Sequence, residues 1–211
     1  LVETDTIGFD ITVGDNDAAT SRQSYLGWNT PSGETYHDPS LFGALILAAG
    51  NLTEIPQGIV IDGKPDPAWY AVDPFHIDTE VQDSDIASDD FSGTFKVLWD
   101  SDGMYLWALV KDDTLTTDLG NRNWKNDNME IYFDMDNSKN PLPEGASWNV
   151  SSYDDNDLVF NFIFSQDTMF GPNGLKTYTI AQVIDTGNFY AVEAMFSWAD
   201  LGLASPLAVD D

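Results

Sequence analysis

The chain contains no cysteine, which excludes disulfide staples, thiolate nucleophiles and Cys-based zinc sites. Basic residues are almost as scarce: 8 Lys and Arg stand against 36 Asp and Glu, a formal charge of −28. A surface this acidic repels nucleic-acid phosphates and anionic lipid headgroups, so nucleic acid is excluded as a partner. No apolar run approaches the roughly 18 residues a spanning helix requires, and membrane insertion is not expected. Histidine is limited to His37 and His76, neither of them in a recognisable nucleophile motif. No internal repeat is visible. No secretory leader is visible either, and an export signal would lie ahead of Leu1.

What remains is rich in core material. Hydrophobic residues make up 42% of the chain and aromatics 13%, enough for a folded globule despite the charge. Length and the lack of repeats point to one domain over residues 1–211. Short runs of alternating or β-branched and aromatic residues, separated by Gly, Pro, Asn and Asp, predict an all-β antiparallel sandwich of jelly-roll type. Strands are expected over 7–13, 24–28, 43–48, 129–135, 177–184 and 189–196. In the run from Tyr105 to Val110 both faces are apolar, so this strand should be central. Leu158, Phe160, Phe162 and Phe164 form an inward stripe. Ser101-Asp102-Gly103 reads as a hairpin turn in which Gly103 supplies a positive φ. Helix is scarce, one turn being expected at Ser197 to Leu201 with Ser197 as its cap.

Most of the acids are Asp, many of them in loops: Asp15 and Asp17, Asp134 and Asp136, and Asp154, Asp155 and Asp157. Hard oxygen donors at this spacing suit Ca²⁺, which would also relieve their mutual repulsion. A merely solvated acidic surface explains any single cluster equally well. Two Asn-x-Ser/Thr tripeptides, at Asn51 and Asn149, are potential glycan acceptors.

One succession of motifs is more specific. It begins with Ile61-Asp62-Gly63-Lys64 and Ala68-Trp69, continues through Phe95-Lys96-Val97-Leu98-Trp99-Asp100 and Met104 to Asp112, and ends with Trp124 to Asp127 and Met129-Glu130-Ile131-Tyr132-Phe133-Asp134. It resembles the opening of family-9 carbohydrate-binding modules, the sugar-binding domains attached to xylanases. The segment from Ile7-Gly8-Phe9-Asp10-Ile11 to Tyr36-His37-Asp38-Pro39 and Phe42-Gly43 resembles how that module ends. Residues 1–49 thus resemble the family's last third and 59–211 its first two-thirds. Two arrangements fit: a circularly permuted module closed within one chain, or neighbouring copies that complete each other. In the closed case residues 6–13 should lie in the sheet near residues 188–196.

The resemblance implies a non-catalytic, extracellular or cell-surface module that binds a polysaccharide or glycan and is stabilised by Ca²⁺. Its two sugar-sandwiching Trp side chains correspond to Trp124 and Tyr36, and its hydroxyl acceptor to Glu130. Where the family places a contacting Arg and Asn, this chain has Asn161 and Ile163. Where it places Gln and Asn, this chain has Thr12 and Gly33. The implied site, Trp124, Tyr36, Glu130 and Asn161, is therefore eroded or retuned.

Other classes fit less well. Glycoside hydrolysis needs two carboxylates across a cleft. Glu130, Asp134 and Asp136 share a strand face, but the second Glu of the sandwich-fold glucanase signature is missing, so no enzyme is expected. The five Met residues sit mostly in strand patterns and read as core rather than as haem ligands. The alternative function is structural: identical subunits joined head-to-tail by strand exchange into an extracellular filament, surface layer or matrix.

Overall fold

The computed structural model describes residues 6–17, 22–47, 58–82, 91–116, 125–163, 169–170, 179–185 and 189–203. They form two antiparallel sheets packed face to face. The larger sheet contains β1 (Thr6–Asp15), β2 (Ser24–Gly27), β3 (Gly43–Ile46), β5 (Thr79–Gln82), β8 (Asn128–Asp134), β9 (Asp157–Ile163) and β10 (Met169–Phe170). The smaller contains β4 (Phe75–Ile77), β6 (Phe91–Trp99), β7 (Gly103–Asp112), β11 (Thr179–Asp185) and β12 (Phe189–Ser197). The all-β sandwich expected from the strand pattern is the observed fold. β7, apolar on both faces, lies between β6 and β12 in the interior of its sheet.

The two-residue period of β1 organises the interior. Ile7, Phe9, Ile11 and Val13 point inward and are fully buried. Phe9 meets Phe133 of β8 at 5.4 Å between ring centroids and Phe95 of the opposite sheet at 5.6 Å. Phe196 of β12 meets Phe133 at 5.3 Å and Phe160 at 5.0 Å. Three of these tilted and edge-on pairs join the two layers, Phe9–Phe133 lying within one, and each adds about 0.5–1.5 kcal/mol beyond the area it buries.

Two expectations need correction. β1 does not lie in the same sheet as residues 189–197: it pairs with β8 on one side and with β2 and β3 on the other, while β12 belongs to the facing sheet. The chain's inward stripes meet across the sandwich rather than along a ladder. Gly103 is not among the positive-φ glycines. The turn before it is held by Asp100, whose Oδ1 accepts from the amides of Asp102 and Gly103. Gly103 is required because a Cβ there would run into the backbone of Phe196 on the paired strand. The turn after β12 forms as expected, with Leu201 N donating to Ser197 O and Asp200 N to Ser197 Oγ.

β2 and β3 share one edge of β1, pairing with its C-terminal and N-terminal halves respectively. The chain between them, residues 28–42, leaves the sheet and folds over its outer face. The β8–β9 connection, residues 135–156, does the same, and the two loops are stitched together. Ser152 N donates to His37 O, and Tyr153 Oη to Thr35 O at 3.0 Å. Lys139 Nζ donates to the carbonyls of Phe42 and Gly43.

Asp10 is sealed beneath this roof. Its Oδ1 accepts from Ile11 N at 2.8 Å and Asn29 N at 3.3 Å, while its buried Oδ2 has no partner. Burial pushes its pKa from 3.8 up to about 7, against the opposing pull of those amides and of Lys139. The folded state thus holds this proton more tightly than the unfolded chain. Asp10's contribution to stability is complete below about pH 4 and is lost as pH rises through about 7. The loss at pH 8 is on the order of 4 kcal/mol. Chemical denaturation across this range should show stability falling with rising pH, and a smaller fall in Asp10→Asn.

Candidate functional site

Between the two loops and the outer face of the larger sheet lies a cavity of about 440 Å³ lined by Arg22, Tyr25, Gly33, Tyr36, Glu130 and Trp148. The sheet supplies the floor. Glu130 and Tyr25 project outward because their neighbours in sequence carry the inward stripe. Tyr36 and Trp148 come from the two loops, are 44% and 79% exposed, and meet where Tyr36 Oη donates to Trp148 O at 3.4 Å. Tyr36 also stacks on His37, centroids 4.1 Å apart, and the His37 ring is bonded to Glu34.

Glu130 is held by three donors: Tyr132 Oη at 2.7 Å, Tyr25 Oη at 3.3 Å and Asn161 Nδ2 at 2.6 Å. Thr12 Oγ1 lies 3.0 Å from Tyr25 Oη and donates to it, leaving the single Tyr25 proton for Glu130. Burial and the Glu130 charge push the Tyr25 and Tyr132 hydroxyls well up from their usual range, so both remain protonated donors. Arg22 lies flat over the Tyr25 ring, its guanidinium carbon 3.6 Å from the centroid. Gly14 makes room for its stem, since a Cβ there would come within 2.8 Å of Arg22 Cδ and 2.6 Å of Asn128 Oδ1.

Of the four sugar-binding positions expected from the sequence, the structure joins Tyr36, Glu130 and Asn161 in one neighbourhood. Trp124 lies outside the described residues, as do Phe164 and Asn51. Gly33 lines the cavity, Thr12 sits beneath it, and Ile163 is buried. Three lining residues, Tyr25, Trp148 and Arg22, were not anticipated. Trp148 sits in the polar run Gly145-Ala146-Ser147-Trp148-Asn149, and the reasoning applied to Trp124 would have found it. Arg22 carried no local signal; only the fold brings it over Tyr25.

The acidic clusters fall into two groups. Carboxylate oxygens of Asp15, Asp112 and Asp127 lie within 4.8 Å of one another, and those of Asp17, Asp112 and Asp113 form a second such group. Asp15 closes β1 and Asp127 precedes β8, while Asp112 closes β7, so the first group bridges the two sheets. All three are buried, and Asp112 Oδ2 and the neighbouring Asn16 Oδ1 have no hydrogen-bond partner. Burial, and then repulsion within the cluster, pushes Asp112 up to about 7 and Asp127 to about 8.

Asp134, Asp136, Asp154 and Asp157 are engaged in hydrogen bonds within the β8–β9 connection. Asp134 accepts from Ser138 N and Lys139 N, Asp136 from Asn156 Nδ2, Asp154 from Asn140 Nδ2, and Asp157 from Asp154 N. They tie the two ends of the 135–156 loop together. Asp155 is exposed on that loop. Among the described residues, none of these five belongs to a group of three acids within reach of one ion.

The model of the carbohydrate family 9 binding domain-like family matches residues 1–49 and 61–209. The chain belongs to that family. It is a non-catalytic carbohydrate-binding module. It is 28% identical over 205 residues to the exoglucanase XynX of Acetivibrio thermocellus, covering 94% of this chain and 17% of that protein. It is 27% identical over 203 residues to endo-1,4-beta-xylanase A of Thermoanaerobacterium saccharolyticum, covering 93% and 16%. The chain therefore spans less than a fifth of these relatives' lengths. A family-9 module from Caldicellulosiruptor kristjanssonii, solved in complex with cellotriose, has the same fold, with a TM-score of 0.50 at 21% identity over 71% of this chain and 66% of that one. Among the described residues no helix is long and apolar enough to cross a membrane.

Removing the Glu130 carboxylate would strip three donors of their acceptor. Glu130→Ala should lower unfolding free energy by about 2–4 kcal/mol, the cost of leaving buried tyrosine hydroxyls unpaired, as read by denaturant titration.

Proposed function

We propose that the cavity roofed by Tyr36 and Trp148 is the module's sugar site, holding a pyranose of an extracellular polysaccharide. The observation that carries this reading is two exposed aromatic side chains from separate loops meeting over a hydrogen-bonded carboxylate. Pyranose faces are apolar and stack on aromatic planes, while their rims need directional polar partners. Relatives named for glucan and xylan breakdown, and a solved neighbour bound to cellotriose, favour β-linked glucan or xylan chains as the ligand class. Trp124 remains a second stacking candidate through its correspondence to the family. The site is retuned relative to the family pattern: Asn161 spends its amide on Glu130, and the guanidinium comes from Arg22 on a different element. Because β1 already fills the seat between β8 and β2 in its own sheet, the module is proposed to close within one chain rather than to polymerise.

Ca²⁺ at Asp15, Asp112 and Asp127 belongs to the same proposal. Three buried carboxylates with unpartnered neighbouring oxygens fit a hard cation, and their oxygens would hold it. Bound there, it would neutralise the cluster and clip β1 and β8 to β7.

Titration calorimetry with xylan fragments, cello-oligosaccharides and monosaccharides tests the sugar reading. Trp148→Ala should weaken binding at least about tenfold and Tyr36→Ala somewhat less, since a stacked ring is commonly a dominant contact. No binding by the intact protein would overturn it.

Melting temperature tests the ion. At pH 7.5, Ca²⁺ at a hundredfold excess over its Kd should raise it by roughly 5–10 °C. EDTA should reverse the gain, and Asp112→Ala should abolish the difference.

A further inference from the structure

The cavity's polar groups are unevenly engaged, and this bears on which sugar fits. Among the described residues Glu130 is its one acidic side chain, and three protein donors already occupy it. With about four acceptor positions on a carboxylate, little remains for ligand hydroxyls. Arg22 is the opposite case. Among the described residues it is the one cation lining the cavity and pairs with no carboxylate, and its Nε is buried without a hydrogen-bond partner. Stacking on Tyr25 engages the guanidinium's face and leaves its in-plane N–H fork unspent.

A cavity with aromatic walls, a largely occupied acceptor and, among the described residues, an unpaired planar fork is matched to a pyranose that carries its own strong acceptor. We infer that the preferred ligand is a hexuronic acid residue of the polysaccharide, its ring against Tyr36 and Trp148 and its carboxylate paired with Arg22. A guanidinium and a carboxylate meet through two parallel N–H···O bonds, stronger and more directional than bonds to a neutral hydroxyl. The setting sharpens the assignment. Around a chain of charge −28, an anionic sugar is repelled everywhere except where a cation is held in place. Arg22 is held so by Tyr25 beneath its face and by the bare backbone of Gly14 beneath its stem.

The inference rests on the sugar reading above, and its test separates the two. The full chain is titrated at about 0.15 M salt, where the Debye length is near 8 Å. The probes are methyl glucuronoside, its neutral glucuronamide analogue and methyl glucoside. Glucuronoside should bind about tenfold or more tighter than the isosteric amide, the scale of one charge-assisted pair. Arg22→Gln should bring that ratio to about one, and Arg22→Lys should retain part of it, because a point charge replaces the fork. Circular dichroism confirms that the variants are folded. Equal binding of glucuronoside and amide by the intact protein would overturn the uronate assignment and leave the sugar site standing. A preference that survives in Arg22→Gln would overturn the role of Arg22. Failure of all three probes together with the oligosaccharides would overturn the sugar reading itself.

Discussion

The site depends on how thin β1 is on its outer side. The inward positions of this strand are Ile7, Phe9, Ile11 and Val13, while the outward ones are Gly8, Asp10, Thr12 and Gly14. Large inward residues hold the strand against both β8 and the opposite sheet. Small outward residues let two loops settle directly on its back. At Gly8 a Cβ would press within 2.8 Å of Asp134 Cβ, and at Gly14 it would displace Arg22. The core demands bulk on one side and the site demands its absence on the other. A two-residue period supplies both from a single strand.

Everything that makes the cavity follows from this layering. The 28–42 loop must leave between β2 and β3 because both pair with the same edge of β1, and the 135–156 loop must turn back to bring β9 beside β8. Their carbonyls would be costly to bury unpaired. Lys139, Ser152 and Tyr153 satisfy several of them across the join. The polar network under the roof carries its own tension, since Asp10 is sealed with one oxygen unpartnered. At the far end of β1 the same crowding gathers Asp15, Asp112 and Asp127 where the two sheets meet. This concentration of like charge at the seam is what the proposed Ca²⁺ would offset.

Much of this was legible before folding. Alternation in the runs around Phe95, Tyr105, Glu130 and Phe160 reports β-structure because burial on one face requires it, and the resemblance to family-9 modules located Tyr36, Glu130 and Asn161. Asp15 and Asp17, singled out from the Asp-rich loops, each lie in a close carboxylate group. Asp112 and Asp127 went unremarked because they lie about a hundred residues further on, and nothing in their local sequence distinguishes them from other acids. The loop acids Asp134, Asp136, Asp154 and Asp157 look equally metal-like in sequence, yet they cap backbone amides. Local spacing does not tell a carboxylate that faces N–H groups from one that faces other carboxylates.

The amino-acid order by itself determined the strands, their inward faces, the absence of thiol chemistry and the family, because these follow from local periodicity and residue type. Tertiary structure alone decided three other things: that β1 and β12 face each other across the core rather than sharing a ladder, that Trp148 joins Tyr36, and that Arg22 lies over Tyr25. Each depends on which backbone edges pair and which loops are forced over the sheet. Such contacts are set by the summed burial and hydrogen bonding of the whole sandwich, and no short window of sequence contains that sum.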